Sequence, residues 1–87
     1  MKSILIIGGL GMLGSQVLKE FVKTKYKIYA TYRNNTDLNK FKKNEKNKNF
    51  NVTFYKFDIK NYKKKDLEKI IYKKDFIINC AGVIKPY

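Results

Sequence analysis

Residues 4–15 read Ile4-Leu5-Ile6-Ile7-Gly8-Gly9-Leu10-Gly11-Met12-Leu13-Gly14-Ser15. An apolar run passes directly into a glycine loop, and the loop into a helical pattern. Residues 2–7 show almost no polar alternation, which predicts a central parallel strand covered on both faces. Met12, Leu13, Val17, Leu18, Phe21 and Val22 then recur at helical spacing, while Gln16, Lys19, Glu20 and Lys23 take the other face. That pattern predicts a helix over 12–25. A strand, a glycine turn and a helix N-terminus in this order make a phosphate cradle. The glycines let backbone N–H groups approach the anion, and the helix end directs its partial positive charge at it.

The chain continues in the same alternating manner. Residues 27–33, Lys-Ile-Tyr-Ala-Thr-Tyr-Arg, are rich in β-formers and predict a second strand. From 34 to 51 the composition turns to Asn and Lys, and Thr36-Asp37-Leu38 opens at most a short helix carrying Leu38 and Phe41. Residues 52–57 predict a third strand with Asp58-Ile59 at its end, 61–74 a helix with Leu67, Ile70 and Ile71 inward, and 76–80 a fourth strand. Strands alternating with helices over short connections imply an α/β fold, a doubly wound parallel sheet with right-handed crossovers. The expected strand order is 3-2-1-4, that of a Rossmann fold, and its ligand crevice lies outside the C-terminal ends of strands 1 and 4. The sheet is incomplete. Residues 1–87 read as the N-terminal part of a dinucleotide-binding Rossmann domain, with the catalytic and substrate portions absent and strand 4 left as an apolar edge.

Gly9, Gly11 and Gly14 satisfy G-x-G-x-x-G, and Gly8, Gly11 and Gly14 satisfy G-x-x-G-x-x-G. Placed between strand and helix in a βαβ unit, either spacing is a dinucleotide-binding signal. Gly8 or Gly9 allows the tight turn, Gly11 the close approach of a pyrophosphate, and Gly14 the packing of helix on strand. Met12, Leu13 and Gly14 form the helix start that faces the phosphates. No Gly-Lys-Ser/Thr follows, which excludes a Walker A loop. The second strand ends in Thr31-Tyr32-Arg33-Asn34, where NAD enzymes carry an acid for the ribose 2′-hydroxyl. The only arginine of the chain stands there instead, and its planar fork suits a 2′-phosphate. NADP is therefore the expected cofactor, with Asp37 as the ribose ligand should NAD bind. Asp58 is placed to accept from an adenine amino group, with Ile59 against the ring. Asn79, Ala81 and Gly82 supply small residues where backbone passes close to a ligand. Cys80 reads as a small hydrophobe, since no histidine exists to activate it.

Composition bounds the remaining classes. The 87 residues allow one small domain, carry a formal charge of +13 and contain a single cysteine, which excludes a disulfide framework. No apolar stretch approaches the ~20 residues of a membrane span, and no small-residue cleavage site follows the N-terminal apolar run. No cluster of thiols or carboxylates has metal-ligand spacing. A cytoplasmic protein is expected. The cations are scattered over every element, as A/T-rich codon usage would produce, and form no basic face of the kind a nucleic acid demands.

Together these residues resemble the extended branch of the short-chain dehydrogenase/reductase superfamily. Gly8, Gly11 and Gly14 match its loop, Asp58-Ile59 its acidic–aliphatic pair, and Asn79, Ala81 and Gly82 its motif after the fourth strand. The phrase Ile77-Ile78-Asn79-Cys80-Ala81-Gly82-Val83-Ile84-Lys85 looks like sugar-nucleotide reductases of the dTDP-4-dehydrorhamnose reductase type. The resemblance implies an oxidoreductase that reduces a keto group on a nucleotide-linked sugar with NADPH and pairs as a homodimer when full length. Two alternatives stand beside it, an NAD-dependent sugar-nucleotide epimerase or dehydratase and a non-catalytic NAD(P)-binding regulatory module. The superfamily's Tyr-x-x-x-Lys pair is not present, because no tyrosine here has lysine four positions on. The resemblance thus assigns no catalytic residue to this chain, only cofactor contacts.

Overall fold

The computed structural model describes residues 1–44 and 51–81. Its elements are β1 (Ser3–Ile7), α1 (Met12–Phe21), β2 (Lys27–Tyr32), α2 (Asn35–Asn44), β3 (Val52–Lys56), α3 (Lys64–Ile71) and β4 (Phe76–Asn79). The four strands form one parallel sheet in the order β3-β2-β1-β4. The doubly wound α/β expectation therefore holds, strand order included.

The unbroken apolar run of β1 has a simple cause. All five of its residues are buried, because the central strand is covered on both faces. Ile4 and Ile6 point to one side, where they pack with Leu18 of α1 and with Ile28 and Ala30 of β2. Phe41 of α2 closes the same face. Leu5 and Ile7 point to the other side, toward Ile70, Leu67 and Ile71 of α3 and toward Phe57. Burying each such aliphatic side chain contributes about 1.5–3 kcal/mol, so this one strand supplies much of the core's stabilisation. β4 lies at the open edge, where Phe76 and Ile77 stay nearly half exposed, as the apolar-edge expectation had it.

Element ends depart from the sequence reading for local reasons. α1 stops at Phe21 rather than at 25. The Thr24 hydroxyl and the Thr24 backbone N–H both donate to the Phe21 carbonyl, at 2.6 and 2.9 Å, and turn the chain there. Met12 and Leu13 do not join the core face of α1, and are 88% and 59% exposed. Core contacts of this helix begin only at Val17, since its first turn lies beside the glycine loop rather than over the sheet. α2 forms because Asn34 caps it, with Asn34 Oδ1 accepting the Asp37 N–H at 3.0 Å. α3 starts three residues later than expected, after a turn at 58–61.

The entry to β4 is clamped to the start of β1. Ser3 N–H donates to Asp75 Oδ2 at 2.7 Å, and Asp75 N–H donates to Ser3 Oγ at 3.2 Å. The Ser3 hydroxyl also reaches the Lys73 carbonyl, and Lys73 takes a left-handed φ of 56° to bring it there. The Ser3 backbone N–H holds the Asp75 carboxyl below the ordinary aspartate value of 3.8, with further help from the Ser3 hydroxyl and Lys2. A carboxyl lowered by folding stabilises the fold above its unfolded pKa, and that contribution is lost as pH falls through the folded value. Thermal melts from pH 7 down to pH 2.5 should show an acid-side loss that Asp75→Asn reduces, together with a lower melting temperature for the variant at neutral pH. An unchanged acid limb in the variant would contradict the clamp.

Candidate functional site

The glycine loop is shaped by contacts from several elements that meet at Gly8. Gly8 has φ +78°, the left-handed region that other residues enter with strain. A Cβ at Gly8 would also lie 2.9 Å from the Ala81 backbone just past β4. Of the two candidates for the tight turn, Gly8 is therefore the one that makes it. Gly9 is small for another reason, since a Cβ there would meet Ala30 Cβ at 2.8 Å. Gly14 packs directly on the loop. Its Cβ would collide with the Gly8 carbonyl oxygen and come within 2.8 Å of the Gly8 carbonyl carbon and 2.9 Å of Gly9 Cα. The expected helix-on-strand packing is thus helix-on-loop packing at the end of the strand.

Gly11 is different. Its φ of −74° and ψ of 178° are open to any residue. A Cβ there would find only the Gly8 carbonyl oxygen, at an ordinary 3.5 Å. Neither backbone conformation nor packing requires a glycine at 11, and the space outside it is open. α1 begins at this residue with no side-chain cap and no acid in its first turn. The Gly11 N–H is used by the Gly8 carbonyl at 3.1 Å. The following N–H groups, of Met12, Leu13 and Gly14, stand where a helix offers no acceptor of its own. Together with the helix dipole they favour an anion.

Beside the loop lies a cleft of about 190 Å³ lined by the C-terminal ends of the strands and the connections that follow them. Of the sequence-derived residues, Gly8, Gly11, Arg33, Asp58, Ile59 and Ala81 line it, and so does Asp37. Met12, Leu13 and Gly14 stand at the adjoining helix start and are not part of the lining. Asn79 is outside the lining too, and its Oδ1 accepts the Ala81 N–H at 3.0 Å in a local turn that sets Ala81 against the cleft. Gly82 lies outside the described residues. Asp58 likewise spends one oxygen locally, accepting the Lys60 N–H at 2.9 Å, while its carbonyl accepts the Asn61 N–H. Arg33 is exposed, and among the described residues its guanidinium has no hydrogen-bond or ion-pair partner.

Thr31 and Lys60 also line the cleft and were not legible as site residues in the sequence. The strand predicted over 27–33 puts Thr31 and Arg33 on one face, which is the one signal that pairs Thr31 with the site, although β2 itself ends at Tyr32. Cys80 lines the cleft as well, and partial burial pushes its thiol up, which disfavours the thiolate. Its N–H donates to the Ile7 carbonyl at 2.8 Å, continuing the β1–β4 pairing up to the glycine loop.

A glycine cradle at a helix N-terminus, beside a cleft at the β1–β4 crossover, is the dinucleotide arrangement of doubly wound sheets. The sequence model of the NAD dependent epimerase/dehydratase family matches residues 4–86. The chain belongs to this family. Among solved structures similar to this family member, the oxidoreductase ylbE from Lactococcus lactis is 28% identical. Its TM-score is 0.71, with 93% of this chain and 33% of that one covered. A candidate 3-oxoacyl-reductase from Bacillus thuringiensis is 29% identical, with a TM-score of 0.70 over 92% of this chain and 35% of that one. Pen from Bacillus thuringiensis, at 24% identity, shares the fold with a TM-score of 0.80 over 97% of this chain and 26% of that one. The chain thus spans about a third or less of these proteins. No curated protein sequence is similar enough to count as a relative.

The epimerase/dehydratase family implies a nicotinamide cofactor, and the residues of this member fit one. The open position at Gly11 and the uncapped helix start suit a pyrophosphate. Ile59 and Ala81 give the neighbouring cleft apolar walls, and Arg33 and Asp37 stand at its β2 side. The family and these residues are those of a module suited to a nicotinamide dinucleotide. Among the described residues no helix is long and apolar enough to cross a membrane, and no group of His, Cys, Asp or Glu could hold a metal ion.

Proposed function

We propose that the chain is the cofactor-binding portion of a reductase that uses NADPH to reduce a keto group on a nucleotide-linked sugar, in the manner of dTDP-4-dehydrorhamnose reductases. The observation that carries the cofactor half of this reading is Gly11, a glycine with no structural reason to be one, at the mouth of an uncapped helix. In this reading the pyrophosphate lies over Gly11 and takes the N–H groups of the first turn of α1. The adenosine end enters the cleft against Ile59 and Ala81, and Arg33 grips the 2′-phosphate. When bound, the nicotinamide supplies the hydride, while this chain's residues bind and orient it. The sugar-nucleotide half rests on the likeness of residues 77–85 to that type of reductase.

One observation favours a second reading. Asp37 lines the same cleft as Arg33, and a carboxylate there suits a free ribose hydroxyl better than a phosphate. On that reading the chain serves an NAD-dependent epimerase or dehydratase. Calorimetric titration with NADPH and NADH separates the two. A charge-assisted contact from Arg33 should make NADPH bind roughly 10–100-fold tighter than NADH. Arg33→Ala should erase that margin and leave NADH unchanged. Equal affinities, unaffected by the substitution, would defeat the NADPH assignment and favour NAD.

A further inference from the structure

We propose that Thr31 is a positioning residue for the phosphate cradle, holding the glycine loop in its binding shape through Gly8. Thr31 is 1% exposed, one of two buried polar residues in the described structure. Gly8 N–H donates to Thr31 Oγ1 at 2.8 Å, and Gly9 N–H donates to the Thr31 carbonyl at 2.9 Å. One residue of β2 therefore satisfies two successive backbone donors of a loop far from it in sequence, Gly8 standing 23 positions away. The consequence reaches beyond those two bonds. The Gly8 carbonyl takes the Gly11 N–H and carries the close packing of Gly14, so fixing the Gly8 peptide fixes the mouth of α1.

Alternatives to threonine show why the hydroxyl matters. Valine has nearly the same shape but no acceptor, and would leave the part-buried Gly8 N–H without its partner. Serine keeps the acceptor. Thr31 also stands two residues before Arg33, which lies just past the end of β2, and both line the cleft. β2 thus holds the loop through Thr31 and leads directly into Arg33, the residue that presents a cation to the cleft.

This inference rests on the cofactor-binding reading for its consequence but not for its geometry, and the test separates the two. Gly8 amide exchange in the unliganded protein, followed by NMR, reads the geometry alone. Slow exchange is expected in the wild type and in Thr31→Ser, and at least tenfold faster exchange in Thr31→Val. Titration reads the consequence. Thr31→Val should weaken NADPH and NADH by the same factor, about tenfold, because it acts through the pyrophosphate both share. Thr31→Ser should restore both. Loss of NADPH binding alone would show a direct contact and overturn the positioning role, as would unchanged affinities with an unchanged Gly8 amide. Should Thr31→Val fail to fold, the wild-type Gly8 amide decides the matter, and rapid exchange there sinks the proposal. A wild type that binds neither nucleotide would defeat the functional reading, while the amide measurement still decides the role of Thr31 in the loop.

Discussion

Gly14→Ala is expected to lower the melting temperature by roughly 10 °C or more, an overpacking cost of about 3 kcal/mol in a domain of this size. The sign is not the one helix propensity gives. An alanine at the third position of an exposed helix would stabilise it by up to about 1 kcal/mol relative to glycine. Here the added methyl collides with the Gly8 carbonyl oxygen and crowds Gly8 C and Gly9 Cα, at 2.8 and 2.9 Å. All three are backbone atoms of a loop whose N–H groups are tied to Thr31, so no side-chain rotation relieves the contact. Either α1 lifts away from the loop or the loop leaves β2. Each outcome disturbs the face of the core that Leu18 fills. Scanning calorimetry of the variant checks this, and a melting temperature equal to or above that of the wild type would contradict the packing described.

Gly11→Val is expected to do the opposite, abolishing nucleotide binding while sparing the fold. The backbone at Gly11 is in an extended conformation that valine adopts readily, and a Cβ there has room. The remaining cost is that of valine at a helix N-cap, about 1 kcal/mol. Binding is another matter. The valine methyl groups would occupy the path of the pyrophosphate and stand before the N–H groups at the start of α1. Loss of the close backbone approach and of several charge-assisted hydrogen bonds should weaken NADPH by more than about 100-fold. Two glycines three residues apart in one motif thus serve separate ends. Gly14 is small for the protein, and on the proposed reading Gly11 is small for the ligand.

Which parts of this were legible before the structure follows from the range of the forces involved. β1, the helix after it and the strand order follow from local pattern, because burial on one or two faces imprints itself directly on the sequence. The tight turn at Gly8 rather than Gly9 was not decidable, since both spacings fit and only the φ of +78° separates them. Thr31 was invisible as a site residue. Its role depends on β2 lying in register beside β1, with Ile6 opposite Ala30, and a bond spanning 23 positions leaves no periodic trace. Asp58 reads as a ligand-facing side chain and Asn79 as a small residue beside passing backbone, and each spends an oxygen on the turn that follows its strand. Asn and Asp favour such turns at strand ends for reasons of backbone hydrogen bonding alone. Met12 and Leu13 fit the helical apolar stripe, yet the first turn of α1 runs beside the loop and leaves them exposed.

On the proposed reading, the loop at Gly11 is built around a dinucleotide phosphate. This is tested most directly by titrating NADPH into the wild type and into Gly11→Val, with the melting temperature of each recorded in the same buffer. Saturable binding is expected to the wild type and none detectable to the variant, at melting temperatures within a few degrees of each other. Binding of NADPH to Gly11→Val with wild-type affinity would contradict it.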